Sequence, residues 1–300
     1  MTSSILGTPL ELGLLVGQAL GIRMFYSYQT QKYKNTPQEY ADRRKIVVRY
    51  VSFLHALIVS FGSLMCVYRS PFCLIGYRHA ADMRTVLILR HTLMFSMSYF
   101  LYDFFDMIMH GEYNKYKEYL IHHICAGFAQ ACVVFDFYGQ HNYFIGIIGI
   151  LPEINTIFIH MRLILKISGV SSKSQLYQIN QQLNIATFIP FRVLPLLMVI
   201  CLVTLGNRHY GFGLAETLVW LGGSTFGTVH NYRIFVRLLA AEGYLKRTYS
   251  KMTGESSNPP PIEPERKLKS DDDIKSMPTK LHSSPSDESL AAAMQHGQFL

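Results

Sequence analysis

Histidines and carboxylates lie inside stretches of this chain that are otherwise apolar. Those side chains can move protons or attack thioesters. His122 and His123 are adjacent. His91, Phe95, Tyr99, Tyr102, Asp103 and Asp106 follow one another at helical steps and form a polar-aromatic stripe. Glu153 and His160 are seven apart and share a face, with Asn155 offset. Ser52, His55, Val59 and Ser63 make another such face, and Gln181, Asn184, Phe188 and Arg192 a further one. Gln130 lies below His123, while His230 and Asn231 follow Gly223 and Gly227.

An ionisable group in hydrocarbon is costly, so each needs a partner, a cavity or a function. Interhelical hydrogen bonding alone is one explanation, but such bonds average about 0.6 kcal/mol. Weak glue does not call for Asp, Glu, Arg and a double His together. A polar chamber is therefore expected. His122 and His123 are its candidate catalytic residues. His55, Tyr99, Tyr102, Asp103, Asp106, Glu153, Asn155, His160, Asn184 and Arg192 are its candidate lipid-binding or lining residues. A histidine within reach of Asp103, Asp106 or Glu153 could act as base or nucleophile on a thioester, with acyl-CoA as possible co-substrate. Neighbouring residues on a helix point about 100° apart, so His122 and His123 do not easily share one ion, and no metal site is expected. The chain has no GxSxG elbow, no HExxH and no phosphate-binding glycine loop.

The elements that must carry these groups are long apolar runs. Seven stretches reach the roughly 20 residues needed to cross hydrocarbon, at about 8–28, 46–68, 86–109, 119–138, 142–166, 179–205 and 212–240. Composition agrees: 49% of residues are hydrophobic and only 16% charged, where soluble proteins carry about 25% charged. The first run is the most polar, with Glu11, Gln18 and Arg23. It also carries Gly13, Gly17 and Gly21, a small-xxx-small face suited to a membrane-protein partner. No basic residue precedes it and it is long for a signal peptide, so it is expected to be retained.

The net charge of +8 sits mainly at the ends of apolar runs, which marks topology and lipid headgroups and excludes nucleic acid as the expected partner. Lys32, Lys34, Arg43, Arg44, Lys45, Lys115, Lys117, Lys166, Lys173, Lys246, Arg247 and Lys251 fall on one side, against Arg69, Arg78, Arg84 and Arg208 on the other. The positive-inside rule then places the tail in the cytosol and requires an odd number of spans. Cys66, Cys73, Cys125, Cys132 and Cys201 form no framework and read as small buried hydrophobes. From about Ser250 the chain turns to proline, serine and aspartate and is expected to be disordered.

Several landmarks resemble the TLC domain: Ser52-Phe53-Leu54-His55-Ala56, Tyr99-Phe100-Leu101-Tyr102-Asp103, and His122-His123 opening the fourth run. Within that family, Glu153-Ile154-Asn155-Thr156-Ile157-Phe158-Ile159-His160-Met161-Arg162 is similar to the TLC domain-containing protein 1 and 2 group. So are Asn184-Ile185-Ala186-Thr187-Phe188, Phe191-Arg192 and Pro195. The resemblance implies an all-α, multi-pass transmembrane bundle of about seven spans around a six-helix core. It divides the chain into 1–42 (first helix and cytosolic loop), 43–243 (TLC domain) and 244–300 (disordered cytosolic tail).

The resemblance further implies regulation of phospholipid fatty-acid composition and membrane fluidity, limiting polyunsaturated chains. Membrane phospholipids or fatty acyl chains would be the partners. The implied residence is the plasma membrane, with the endoplasmic reticulum membrane as the alternative. Ceramide synthases share the double histidine but also have a downstream His-Asp, where this chain reads Leu151-Pro152-Glu153-Ile154-Asn155. Ceramide-synthase-like acyl transfer is thus a second expectation. A regulatory subunit of a channel or transporter, docking through Gly13, Gly17 and Gly21, is a third.

Overall fold

The computed structural model describes residues 9–31, 37–75, 82–112, 117–135, 143–205 and 212–241, and every regular element among them is helical. They are α1 (Pro9–Gln31), α2 (Pro37–Arg69), a 3-10 turn (Pro71–Ile75), α3 (Met83–Met109), α4 (Lys117–Val134), α5 (Tyr143–Ile150), α6 (Pro152–Ile167), α7 (Gln175–Phe188), a π turn (Ile189–Val193), α8 (Leu194–Leu205) and α9 (Leu214–Ala241). Segments α5 and α6 form one rod, as do α7, the π turn and α8. Seven rods result among the described residues, with ends within a few residues of the sequence-based spans except α2, which begins earlier, at Pro37. The expected disordered tail at 244–300 lies outside the described residues, as do Lys32, Lys34, Arg78, Lys115 and Arg208 of the charge pattern.

By length and apolarity, the rods Arg43–Arg69, Tyr143–Ile167 and Gln175–Leu205 can each cross a membrane. Helix α3 carries more polar side chains and buries Arg90, Asp103 and Asp106, while Arg84 and His91 stay exposed. The chain is an all-α membrane bundle.

Helix ends are closed in ways the residues explain. Asp82 caps α3 by accepting from the Thr85 amide at 2.7 Å, and Arg69 donates to its other oxygen at 2.6 Å. The bonds from Thr85, then that from Arg69, hold the Asp82 carboxyl down to about 2. Ser174 caps α7 through the Tyr177 amide. Gly169, at φ 72°, ends α6: its amide bonds Lys166 O, and that of Val170 bonds Leu165 O. That pair of bonds needs the left-handed residue which glycine supplies without strain. In the last rod but one, Pro190 and Pro195 each remove a backbone donor. The helix widens there, and the Leu194 amide bonds Ile189 O five residues back.

Two compact units are distinguished, Met1–Tyr232 and Arg233–Leu300, and the described part of the second is the end of α9. Within the first unit, α2 and α3 are the central pair. Helix α3 packs against α1, α2, α4 and α5, and α2 against α1, α3, α5 and α6.

Packing differs between the two ends of the bundle. At the end of the 69–83, 134–143 and 205–214 connections, Val59, Leu89, Leu93, Val133, Phe144, Ile147, Ile148 and Val203 form a dry apolar core. Toward the opposite end, where the basic loops lie, Tyr26, Val47, Val51, Tyr99, Phe100 and Tyr102 form a smaller aromatic cluster. Helix α1 joins it through the Tyr26–Tyr102 ring contact and a hydrogen bond between Ser98 and Gln18. Gly17 and Gly21 of α1 are not used for this packing, because both have open space beside them.

The α2–α3 approach depends on Gly62. A Cβ there would overlap the Thr92 side chain down to its Cβ, 3.0 Å away. Gly62→Ala is expected to cost about 1–3 kcal/mol by overpacking. Gly17→Ala and Gly21→Ala should be neutral or slightly stabilising, because alanine favours helix. Thermal unfolding of the purified variants in detergent checks the ranking; equal melting temperatures for all three would contradict this packing.

Candidate functional site

Midway along the bundle the apolar core gives way to a polar layer. Helix α2 presents His55, buried and lying flat on the Tyr99 ring of α3, with centroids 4.0 Å apart at 18°. Its Nε2 is 3.1 Å from Ser96 Oγ, which also accepts from Gln130 of α4 at 3.0 Å. Its Nδ1 faces Glu153 of α6 across 3.9 Å, too far for a direct hydrogen bond. The Tyr99 hydroxyl is held by Ser52 at 2.8 Å. Ser96 and Tyr99 of α3 therefore fix the imidazole by hydrogen bonding and stacking, Gln130 of α4 supports Ser96, and a carboxylate of α6 lies 3.9 Å away.

One turn toward the basic end, His123 Nδ1 of α4 is 3.1 Å from Asp103 Oδ2 of α3. The oxygen lies off the N–H axis, so the contact is electrostatic rather than a well-formed hydrogen bond. Phe100 bridges the two histidine groups, with its ring 5.5 Å from His55 and 5.2 Å from His123. His122, about 100° around the helix, faces elsewhere and stacks on His230 of α9 at 5.2 Å and 17°. Tyr119 meets the same His230 ring edge-on. The double histidine is thus split between two environments: one member has a carboxylate, and the other has an aromatic stack.

Arg192 sits on the π turn. It is 9% exposed and donates to Asn231 Oδ1 of α9 at 2.7 Å and to Thr156 Oγ1 of α6 at 2.6 Å. Phe188, one turn earlier, lies under its guanidinium at 5.8 Å. His160, half-buried on α6, falls within electrostatic range of His55, His123 and Arg192.

The remaining candidates have other duties. Asn155 donates to Asn184 O at 2.8 Å and to Thr187 Oγ1 at 2.9 Å, and Asn180 donates to Phe158 O, so this group fastens α6 to α7. Asp106 does not look the same way as Asp103. It takes Arg44 of α2 at 2.5 Å and lies 3.2 Å from His110, while Arg44 also holds Glu112 at 2.6 Å. That network closes the basic end of the α2–α3 pair. Tyr102 is buried against Tyr26 of α1. His91, assigned to the α3 stripe by spacing, is exposed, so the buried stripe starts near Phe95.

Ser96 and Thr156 were not singled out as site residues by the sequence, and Arg44 was read only as a topology charge. Ser96 precedes Tyr99 by three residues and Thr156 follows Glu153 by three, so helical spacing carried a signal for both. Nothing in the sequence pairs Arg44 with Asp106, sixty-two residues away.

Several buried polar atoms of the layer have no hydrogen-bond partner, namely His123 Nδ1, Gln130 Oε1, Glu153 Oε2, His160 Nδ1 and Arg192 Nε, as do others outside it such as Tyr102 Oη, Arg44 Nε and Trp220 Nε1. Such atoms are rare in folded proteins and mark water or ligand positions. Among the described residues, no three His, Cys, Asp or Glu side chains are grouped to hold a metal ion. A separate recess of about 250 Å3 lies nearer the basic end, between Arg43, Ile46 and Tyr50 of α2 and Ile164, Ile167 and Ser168 after α6.

A TLC domain family model matches residues 45–241. The chain belongs to the TLC domain family. Human TLC domain-containing protein 1 is 30% identical over 147 residues, covering 48% of this chain and 56% of that protein. Zebrafish (Danio rerio) TLC domain-containing protein 2 is 30% identical over 149 residues, covering 47% and 54% respectively. Rat (Rattus norvegicus) TLC domain-containing protein 1 is 28% identical over 175 residues, covering 57% and 67%. The chain spans a little over half the length of the first two. No solved structure matches it. The TLC match covers α2 from Lys45 through α9, so the polar layer lies within the family domain, while α1 precedes it.

The ionic closure at the basic end has a measurable weight. Arg44→Met leaves Asp106 buried without its cation and should cost about 3–5 kcal/mol. Arg44→Met combined with Asp106→Leu should recover most of that loss. Thermal unfolding of the purified variants is the check; a double variant as unstable as the single one would mean the pair is not coupled.

Proposed function

We propose that this TLC-domain protein controls the fatty-acid composition of membrane phospholipids, and with it membrane fluidity, by binding an acyl chain or phospholipid at its polar layer. Its effect is to limit polyunsaturated chains, and its site of action is the plasma membrane. The observation that carries the reading is the convergence of His55, Asp103, His123, Glu153 and Arg192 from five helical segments, with unpartnered polar atoms, beneath a dry apolar core. A lipid has the matching character: a chain for apolar walls and an oxygen-rich end for the polar groups. The TLC family is often linked to lipid metabolism or membrane function, which supports the same direction. The test is acyl-chain profiling of phospholipids from cells with and without the protein, and with His55→Ala and His123→Ala. Loss of the protein should raise the polyunsaturated share, and the two variants should fail to restore it. An unchanged profile on loss of the protein would end this reading.

The Asp103–His123 contact favours a second, catalytic reading. Here the His123 imidazole accepts the proton of an acceptor hydroxyl or amine as that group attacks the carbonyl of an acyl-CoA thioester. The C–S bond breaks and the imidazolium returns the proton to the departing thiolate, while Asp103 stabilises the cation. Purified protein with labelled acyl-CoA and a lipid acceptor should then transfer label, and His123→Ala should lower transfer by about 100-fold or more. His122→Ala should do less, since that ring has no carboxylate. Absence of both turnover and adduct would leave binding as the function.

A further inference from the structure

Arg192 is a full positive charge placed inside the bundle with only neutral hydrogen-bond acceptors. Its two terminal nitrogens are held by an amide oxygen and a hydroxyl, and Nε has no partner. No carboxylate pairs with it within 4.0 Å among the described residues. The acidic groups within electrostatic reach are Glu153 and Tyr119, and neither bonds it. His122 and His160, also in range, add no negative charge. A buried arginine used for stability normally finds a carboxylate, because the desolvation cost of the lone ion is several kcal/mol. This one is instead oriented: Asn231 and Thr156 fix two arms of the fork, Phe188 supports the plane, and the π turn directs it inward. π turns of this kind recur at functional sites.

We infer that Arg192 is the oxyanion-recognition residue of the polar layer, binding the carboxylate or phosphate at the end of an acyl-chain ligand. The inference rests on the lipid-binding reading above and names the end of the lipid that the site selects. Guanidinium geometry suits it, since arginine meets carboxylate and phosphate through parallel N–H donors and does so better than lysine. Asn231 and Thr156 act as positioning residues. Glu153 is an internal competitor in its ionised form: its Oε2 lacks a hydrogen-bond partner, and a carboxylate there repels an incoming anion while attracting Arg192.

Full-length protein reconstituted in phosphatidylcholine nanodiscs is titrated with four probes, with binding read by isothermal calorimetry and by the shift in thermal midpoint. Oleate and phosphatidate should bind and stabilise the protein. Oleyl alcohol, which has the chain without the anion, and inorganic phosphate, which has the anion without the chain, should bind at least 10-fold more weakly. Arg192→Gln keeps a donor for Asn231 but removes the charge, so oleate and oleyl alcohol should then bind alike. Arg192→Lys should retain part of the preference, through charge without the fork. Glu153→Gln should tighten oleate binding several-fold by removing the competing carboxylate.

Should Arg192→Gln fail to fold, the comparison of oleate with oleyl alcohol on wild-type protein still decides the matter. Equal binding of oleate and oleyl alcohol by wild type overturns the inference while leaving lipid binding intact. Binding of inorganic phosphate as tight as phosphatidate would mean a free anion is the ligand, and would overturn the assignment to an acyl-chain end. No binding of any chain-bearing probe would remove the lipid-binding reading and this inference together.

Discussion

A polar group in hydrocarbon has no water to turn to, and that cost organises the whole bundle. Each ionisable side chain that the spans carry must find a partner within the protein or create a place for one. The structure meets the demand in three ways. Asp106 and Arg44 neutralise each other at the basic end. Asn155 of α6 donates to the backbone and side-chain oxygens of Asn184 on α7. The groups between them, His55, His123, Asp103, Glu153 and Arg192, are drawn into one layer where satisfaction is incomplete. The layer differs from the ion-paired end in bringing acids, imidazoles and a guanidinium from several helices together beside donors and acceptors that lack partners.

The layering gives the site a direction. The apolar core around Leu89, Leu93, Ile147 and Ile148 lies in the half of the bundle away from the Arg44–Asp106 pair, with Ser63, Thr85 and Arg90 also buried in that half. The polar layer lies between that core and the aromatic and ionic groups at the basic end. Close contact of α2 and α3 at Gly62 and Thr92 sets the register that stacks His55 on Tyr99 one to two turns further along. Packing in the dry half thus positions chemistry in the polar half. The same logic explains the different settings of His122 and His123: consecutive side chains leave a helix about 100° apart, so one meets Asp103 and the other stacks with His230, while both rings adjoin Phe100. Membership of the TLC domain family fits the bundle and its membrane setting, and the residues of the layer, rather than the fold, carry the functional argument.

Much of the fold could be read from apolar run lengths, because crossing hydrocarbon requires about 20 residues and few alternatives satisfy the backbone there. The rods and most of their polar faces followed from run length and spacing, while the widened turn near Pro190 and Pro195 is seen only in the structure. Spacing also identified which residues would be inside. It failed at His91, since helical periodicity gives a face but not the point along the rod where neighbours stop covering it.

Pairing was decided only by the tertiary structure. Nothing in the sequence distinguishes Asp103 from Asp106, three residues apart on one helix, yet one meets a histidine of α4 and the other an arginine of α2. Nor does it show that Arg192 would be held by an amide and a hydroxyl instead of a carboxylate. The sequence by itself determined that charged groups must be buried, since their helices are too apolar to lie anywhere but in the membrane. Which charge faces which depends on the rotation and height of each rod against its neighbours, a property of three-dimensional packing that no single helix carries.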